Sequence, residues 1–197
     1  MGPMVLAGFI ASEEEDKALR ELGVKDSKAF GSGPKAREKR AALAAELKKL
    51  GRWEIRKAEA AAIEGTKLND LAYLWAKEIV GKLGKGASVV TDGGEFFERM
   101  KKDHPDVTVI TGGDRKNVFV AAASILAKDE RDTRYAEMIS AQRQEIEGLM
   151  GDEEDVFERI LDCSSYPSSK LFKEYLKRYH ARHGKFPPET RTRMVHL

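Results

Sequence analysis

The segment that most constrains this chain runs from Gly112 to Lys128, Gly-Gly-Asp-Arg-Lys-Asn-Val-Phe-Val-Ala-Ala-Ala-Ser-Ile-Leu-Ala-Lys. It follows a short β-type run, Val107 to Thr111, and opens on two glycines, which adopt backbone conformations that other residues avoid. Asp114 then stands at the mouth of an expected helix. That helix is small and apolar at Ala121, Ala122 and Ala123, so it can lie close against a sheet and hold its first turn rigidly. A second acid, Asp92, ends another β-type run, Ala87 to Thr91, and two more glycines follow it. Two aspartates at sheet–helix junctions, each beside glycine, make a candidate site for a hard metal ion. Each acid also admits a purely structural reading. Asp92-Gly93 is a common turn dipeptide, and Asp114 is suited to capping its helix by accepting a backbone N–H.

The rest of the chain alternates strand and helix. Val5 to Ala11 reads as a buried strand, Glu13 to Leu22 as a helix, and Gly23 to Lys28 as a polar loop in which Lys25 and Lys28 bracket Asp26 and Ser27. Pro34 suits the first turn of a helix, which Leu43, Leu47 and Leu50 continue and Gly51 stops. Trp53 to Lys57 alternates as a strand does. Leu68, Leu71, Ala72, Trp75, Ile79 and Leu83 line one helical face. Phe96, Phe97 and Met100 belong to a short helix. A long helix begins near Asn117 with Val118, Ala122, Ile125 and Leu126 inward, and a short one spans Val156 to Leu161. Leu171, Phe172, Tyr175, Leu176 and Tyr179 form the apolar face of a last helix. The expected class is α/β with a mixed sheet flanked by helices. The expected division is a core over residues 1–144 and a C-terminal helical segment over residues 145–197.

At 197 residues and 41% hydrophobic content the chain can bury a real core. Lys+Arg 35 against Asp+Glu 33 leaves the net charge uninformative, but its distribution is uneven. Residues 145–162 carry eight acids, Glu145, Glu147, Asp152, Glu153, Glu154, Asp155, Glu158 and Asp162, against Arg159 alone, whereas residues 170–197 are basic. A basic helix can follow phosphates, and a solvated helix face gives the same pattern. The single cysteine, Cys163, excludes an internal disulfide and a cysteine-rich zinc site, and is compatible with a reducing cytoplasm. The apolar N-terminus has no preceding positive residue of the kind a signal peptide carries, and no apolar run approaches membrane-spanning length.

Several segments, taken in order, resemble the ribonuclease HII family (type 2 ribonuclease H), in particular its archaeal branch. They are Gly2-Pro3-Met4-Val5, Gly23-Val-Lys-Asp-Ser-Lys28, Lys67-Leu-Asn-Asp-Leu71, Val90-Thr-Asp92, Gly113-Asp114 and Ala121-Ala-Ala-Ser-Ile-Leu-Ala-Lys128, followed by Tyr166-Pro-Ser168 and His183-Gly-Lys-Phe-Pro-Pro188. The resemblance implies a ribonuclease-H-like sheet and cleavage of the RNA strand of RNA–DNA hybrids with Mg²⁺ or Mn²⁺. It places Asp92 and Asp114 as the last two metal-binding acids, Lys25, Ser27 and Lys28 near the substrate backbone, and Tyr166 near the sugar at the cleavage point. It further implies a monomer acting on RNA–DNA hybrid or RNA-containing duplex DNA, away from membranes. Aspartates suit such ions because Mg²⁺ and Mn²⁺ prefer oxygen ligands. Two ions about 4 Å apart can serve an in-line displacement. The 2′-OH separates RNA from DNA at such a site.

The family pattern also has an Asp-Glu strand and a Gly-Arg-Gly loop ahead of Gly-Pro-Met-Val, and these 197 residues contain neither there. That strand would lie between the strands read at Val5 to Ala11 and Ala87 to Thr91. Two readings of function therefore stand side by side. One is a metal-dependent endoribonuclease. The other is a catalytically impaired member that only binds nucleic acid.

Overall fold

The computed structural model describes residues 2–25, 30–31, 33–151, 155–163, 169–188 and 190. Strand β1 (Met4–Ile10) is followed by helices α1 (Glu15–Glu21) and α2 (Pro34–Leu50), then by β2 (Arg52–Ala58). A 3₁₀ turn at Ala61–Ile63 leads to α3 (Leu68–Leu83), β3 (Val90–Asp92), α4 (Glu95–Glu98), a second 3₁₀ turn at Arg99–Lys102, and β4 (Thr108–Ile110). The remainder is helical: α5 (Gly113–Lys116), α6 (Val118–Ala141), α7 (Arg143–Met150), α8 (Val156–Asp162) and α9 (Lys170–His183). The class is α/β, as the alternation of patterns predicts.

Among the described residues the strands form two separate pairs. β1 and β2 run antiparallel, with Met4 opposite Ala58 and Ile10 opposite Arg52. β3 and β4 run parallel, with Val90 opposite Thr108 and Asp92 opposite Ile110. No ladder joins β1 to β3. This corrects the reading of Val5 to Ala11 as a buried strand. All seven residues of β1 and all three of β3 are only half-buried. A strand with one neighbour leaves its other edge without the cover that full burial requires.

Three apolar clusters hold the elements together. One joins Leu19 of α1, Ala44 and Leu47 of α2, and Val118, Ala121, Ala122, Ile125 and Leu126 of α6, with Ala7, Phe9 and Ile55 of the first strand pair packed against it. A second joins Ala76 of α3 to Met100 and Val107, next to β4. The third takes in Tyr135 and Ile139 near the end of α6 with Ile146, Met150, Val156, Phe157, Ile160, Phe172, Tyr175 and Leu176 of α7 to α9. α6 therefore runs through both the first cluster and the third, and its alanines let the first strand pair approach it closely.

Two features were not legible as periodicity. α7 lies in the acidic stretch, where only Ile146, Leu149 and Met150 mark an apolar stripe. The charge runs also meet each other: Glu145 of α7 accepts a hydrogen bond from His183 Nε2 at 2.7 Å and lies 3.9 Å from Arg182 Nη1, both on α9. Part of the basic helix is thus matched internally. No helix among the described residues is long and apolar enough to cross a membrane.

Candidate active site

The site is built where the parallel pair ends. β3 delivers Asp92 as its last residue, and the chain turns at Gly93, whose N–H donates to the Ile110 carbonyl of β4 at 2.7 Å. A side chain is excluded at Gly93, because a Cβ there would fall 2.6 Å from Thr111 Cα. β4 ends at Ile110, and Gly112 turns the chain with a left-handed backbone, φ 66°, a conformation glycine adopts without penalty. α5 then begins, with Asp114 in its first turn and 5% exposed.

The segments that carry the two aspartates, 22 residues apart in sequence, meet at this point. Asp92 Oδ1 accepts hydrogen bonds from the Gly93 N–H at 2.9 Å and from the Gly113 N–H at 2.7 Å. The second donor is the residue immediately before Asp114. A Cβ at Gly113 would lie 3.2 Å from Asp92 Cα, which measures how closely α5 approaches the end of β3. Asp92 is thereby locked by two backbone donors on one oxygen. Its Oδ2 accepts no hydrogen bond among the described residues.

Asp114 does not cap the long helix. Asn117 does so: its side-chain oxygen accepts from the N–H groups of Phe119 at 3.0 Å and Val120 at 3.1 Å. Asp114 instead sits one short turn earlier, and Asn117 N–H closes that turn onto the Gly113 carbonyl at 2.8 Å. The capping role was readable from Asn immediately before Val-Phe-Val, a residue type favoured at helix starts. The extra turn was not, because four residues leave no period.

Of the remaining candidates, Lys25 is exposed, with its Nζ 5.7 Å from the centre of the Phe30 ring. Ser27, Lys28 and Tyr166 lie outside the described residues. In the Lys67 to Leu71 segment, Asp70 accepts from Arg99 Nη1 at 2.6 Å, and this bond holds its carboxyl below the ordinary aspartate range. Arg99 also stacks on Tyr73, 4.5 Å from the ring centre. This exposed cluster ties α3 to the turn that follows Asp92 and α4.

The donor set suits one hard cation. Mg²⁺ is commonly held by one or two carboxylates, with water and substrate phosphate oxygens completing its shell. Among the described residues no group of three or more His, Cys, Asp or Glu converges as a metal site would, so these residues do not build a two-ion centre.

The ribonuclease HII family model matches residues 1–155. Ribonuclease HII of Thermococcus onnurineus (strain NA1) is 33% identical over 204 residues, an alignment spanning 97% of this chain and 80% of that protein. The fold superposes on ribonuclease HII in its complex with PCNA from Archaeoglobus fulgidus with a TM-score of 0.73 at 27% identity, covering 98% of this chain and 86% of that one. Bst ribonuclease HIII in complex with Mn²⁺ shares the fold more distantly, at TM-score 0.60 and 17% identity over 89% of this chain and 65% of that one. With the family model spanning most of its length, the chain belongs to the ribonuclease HII family of nucleases.

Proposed function

We propose that this protein is an endoribonuclease that hydrolyses the RNA strand of RNA–DNA hybrids with Mg²⁺ or Mn²⁺ held by Asp92 and Asp114. The observation that supports the reading is the hydrogen bond from Gly113 N–H to Asp92 Oδ1, which ties the residue before Asp114 to the end of β3. Family membership and the Mn²⁺ bound by the ribonuclease HIII neighbour support the choice of ion. The bound ion would supply Lewis-acid polarisation of the scissile phosphate and a lowered pKa for attacking water. The protein's part is to hold that charge in place: Asp92 is pinned through Oδ1, and Asp114 is buried on a short turn tied to α6. Lys25, Ser27 and Lys28 contribute contacts to the substrate backbone, and Tyr166 packs by the sugar. The working unit divides into a core over 1–144 and a helical segment over 145–197 on the substrate side. The enzyme acts as a monomer in the cytoplasm.

A second reading, hybrid binding without cleavage, is favoured by one observation. Among the described residues no group of three or more ligand-type side chains converges, and a two-ion centre needs more negative charge than Asp92 and Asp114 supply. Incubating the chain with a labelled RNA–DNA hybrid in Mg²⁺ or Mn²⁺ separates the two. Cleavage that falls about a hundredfold or more in Asp92→Asn is expected, since loss of a metal ligand removes several kcal/mol of transition-state stabilisation. Asn retains an acceptor for both glycine amides, so the variant should melt like the parent. Tight hybrid binding with no metal-dependent cleavage would establish the second reading instead.

A further inference from the structure

The most deeply buried charged side chain in the described structure lies outside the aspartate pair. Arg40 of α2 is 1% exposed. Its Nη2 donates to Asp132 Oδ2 of α6 at 2.8 Å, and its Nη1 donates to the Gly31 carbonyl at 3.2 Å. Asp132, 5% exposed, also accepts from Arg131 Nη2 at 3.0 Å and lies 3.8 Å from Lys128 Nζ. Arg40 Nε is buried with no hydrogen-bond partner among the described residues.

We infer that Arg40 is a positioning residue for Lys25: through Asp132 and Gly31 it fixes Phe30, the ring beneath the Lys25 amine, against α6. The inference rests on the proposed role of Lys25 at the nucleic-acid backbone. A buried ion pair with an unpaired donor is a poor source of stability, since an apolar pair of similar volume is often as good or better. What a guanidinium supplies is a rigid planar fork that fixes two acceptors relative to each other. Here the acceptors are a carboxylate on α6 and a loop carbonyl.

The loop is held at both described ends. Val24 is buried and its N–H donates to the Leu19 carbonyl at 3.1 Å. Phe30 packs on the cluster that joins α1, α2 and α6. Lys25, next to the first anchor, lies over the ring of the second. α6 begins four residues after Asp114. The Arg40 fork therefore sets the height of Lys25 relative to the helix from which the aspartate site is hung.

The test is equilibrium binding of an RNA–DNA hybrid to the full chain over a series of salt concentrations, with thermal melting of each variant. The Arg40→Met, Asp132→Leu double variant should melt within a few degrees of the parent. Its Kd should rise about tenfold and the slope of log K against log salt should fall by about one, the signature of one lost phosphate contact. Lys25→Ala should give the same loss in slope, and should add almost nothing when combined with the double variant, because both remove one contact. A purely structural role for Arg40 would not produce that non-additivity. If the double variant fails to fold, Arg40→Lys decides: it keeps a bond to Asp132, releases Gly31, and should show the same slope loss. Parental affinity and slope in the folded variants, or a full additive effect of Lys25→Ala, would overturn the inference while leaving the nuclease reading intact. A parent chain that shows no salt-dependent hybrid binding overturns the nuclease reading and this inference together.

Discussion

At the scale of single residues, burial and charge decide which acids are available for chemistry and which strain the fold. Asp129 on α6 is the clearest case of strain. Burial raises its carboxyl above the ordinary aspartate value, Glu130 and Asp132 push the same way, and Lys48 and Arg40 oppose the shift. The Lys48 amine stands 3.9 Å away, too far for a good charge-assisted hydrogen bond. A carboxyl whose folded pKa lies above its unfolded one binds its proton more tightly in the native state. Its favourable contribution is then complete below the unfolded value, about pH 4, and is lost as pH rises through the folded value. Asp129→Asn should therefore unfold at a higher denaturant concentration than the parent at pH 7, with the gap closing near pH 4. A less stable variant at pH 7 would mean that the Lys48 attraction outweighs desolvation.

At the scale of elements, α6 is the piece on which the site depends. It begins at a side-chain cap, lies against the first strand pair through Ala121 and Ala122, and ends in the aromatic cluster of the C-terminal helices. Asn117 satisfies two of the N–H groups that a helix start leaves unpaired. Asn117→Ala should cost about 1 kcal/mol in a chemical melt. Because the same residue closes the α5 turn with its backbone, the loss should also loosen Asp114. In fluorescence-monitored Mn²⁺ titration the variant should bind more weakly than the parent, whereas an equally destabilising change in α9 should not. The pattern of α6 was legible from Val118, Ala122, Ile125 and Leu126, all four buried as the spacing predicts. α5 was hidden because four residues carry no periodic signal, and α7 because an acidic composition masked its apolar stripe.

At the scale of the whole molecule, the described strands form two pairs rather than one continuous surface. β1 has its ladder to β2 on one edge, and the described residues place no ladder on the other. In an antiparallel pair alternate residues point their amides toward the partner. Hydrogen exchange should therefore show protected and fast amides alternating along Met4 to Ile10. Uniform protection across all seven would mean that another strand covers the open edge in solution. The contact between Gly113 N–H and Asp92 does not depend on that edge, since β3, β4 and the turn at Gly112 are enough to form it.

The sequence by itself determined the local decisions. The alternation at Trp53 to Lys57, the leucines of α2 and the small apolar face of α6 each fix an element, because side-chain periodicity is a property of the chain and needs no partner. It also carried the ordered segments by which the family is recognised. Tertiary structure alone decided the rest: that Gly113 N–H reaches Asp92, that Asn117 rather than Asp114 caps the long helix, that Arg40 is sealed against Asp132, and that β1 and β3 share no ladder. The reason is the same in each case. Hydrogen bonds and burial between distant segments depend on where the elements come to rest, and a periodicity records only which face of each element is apolar.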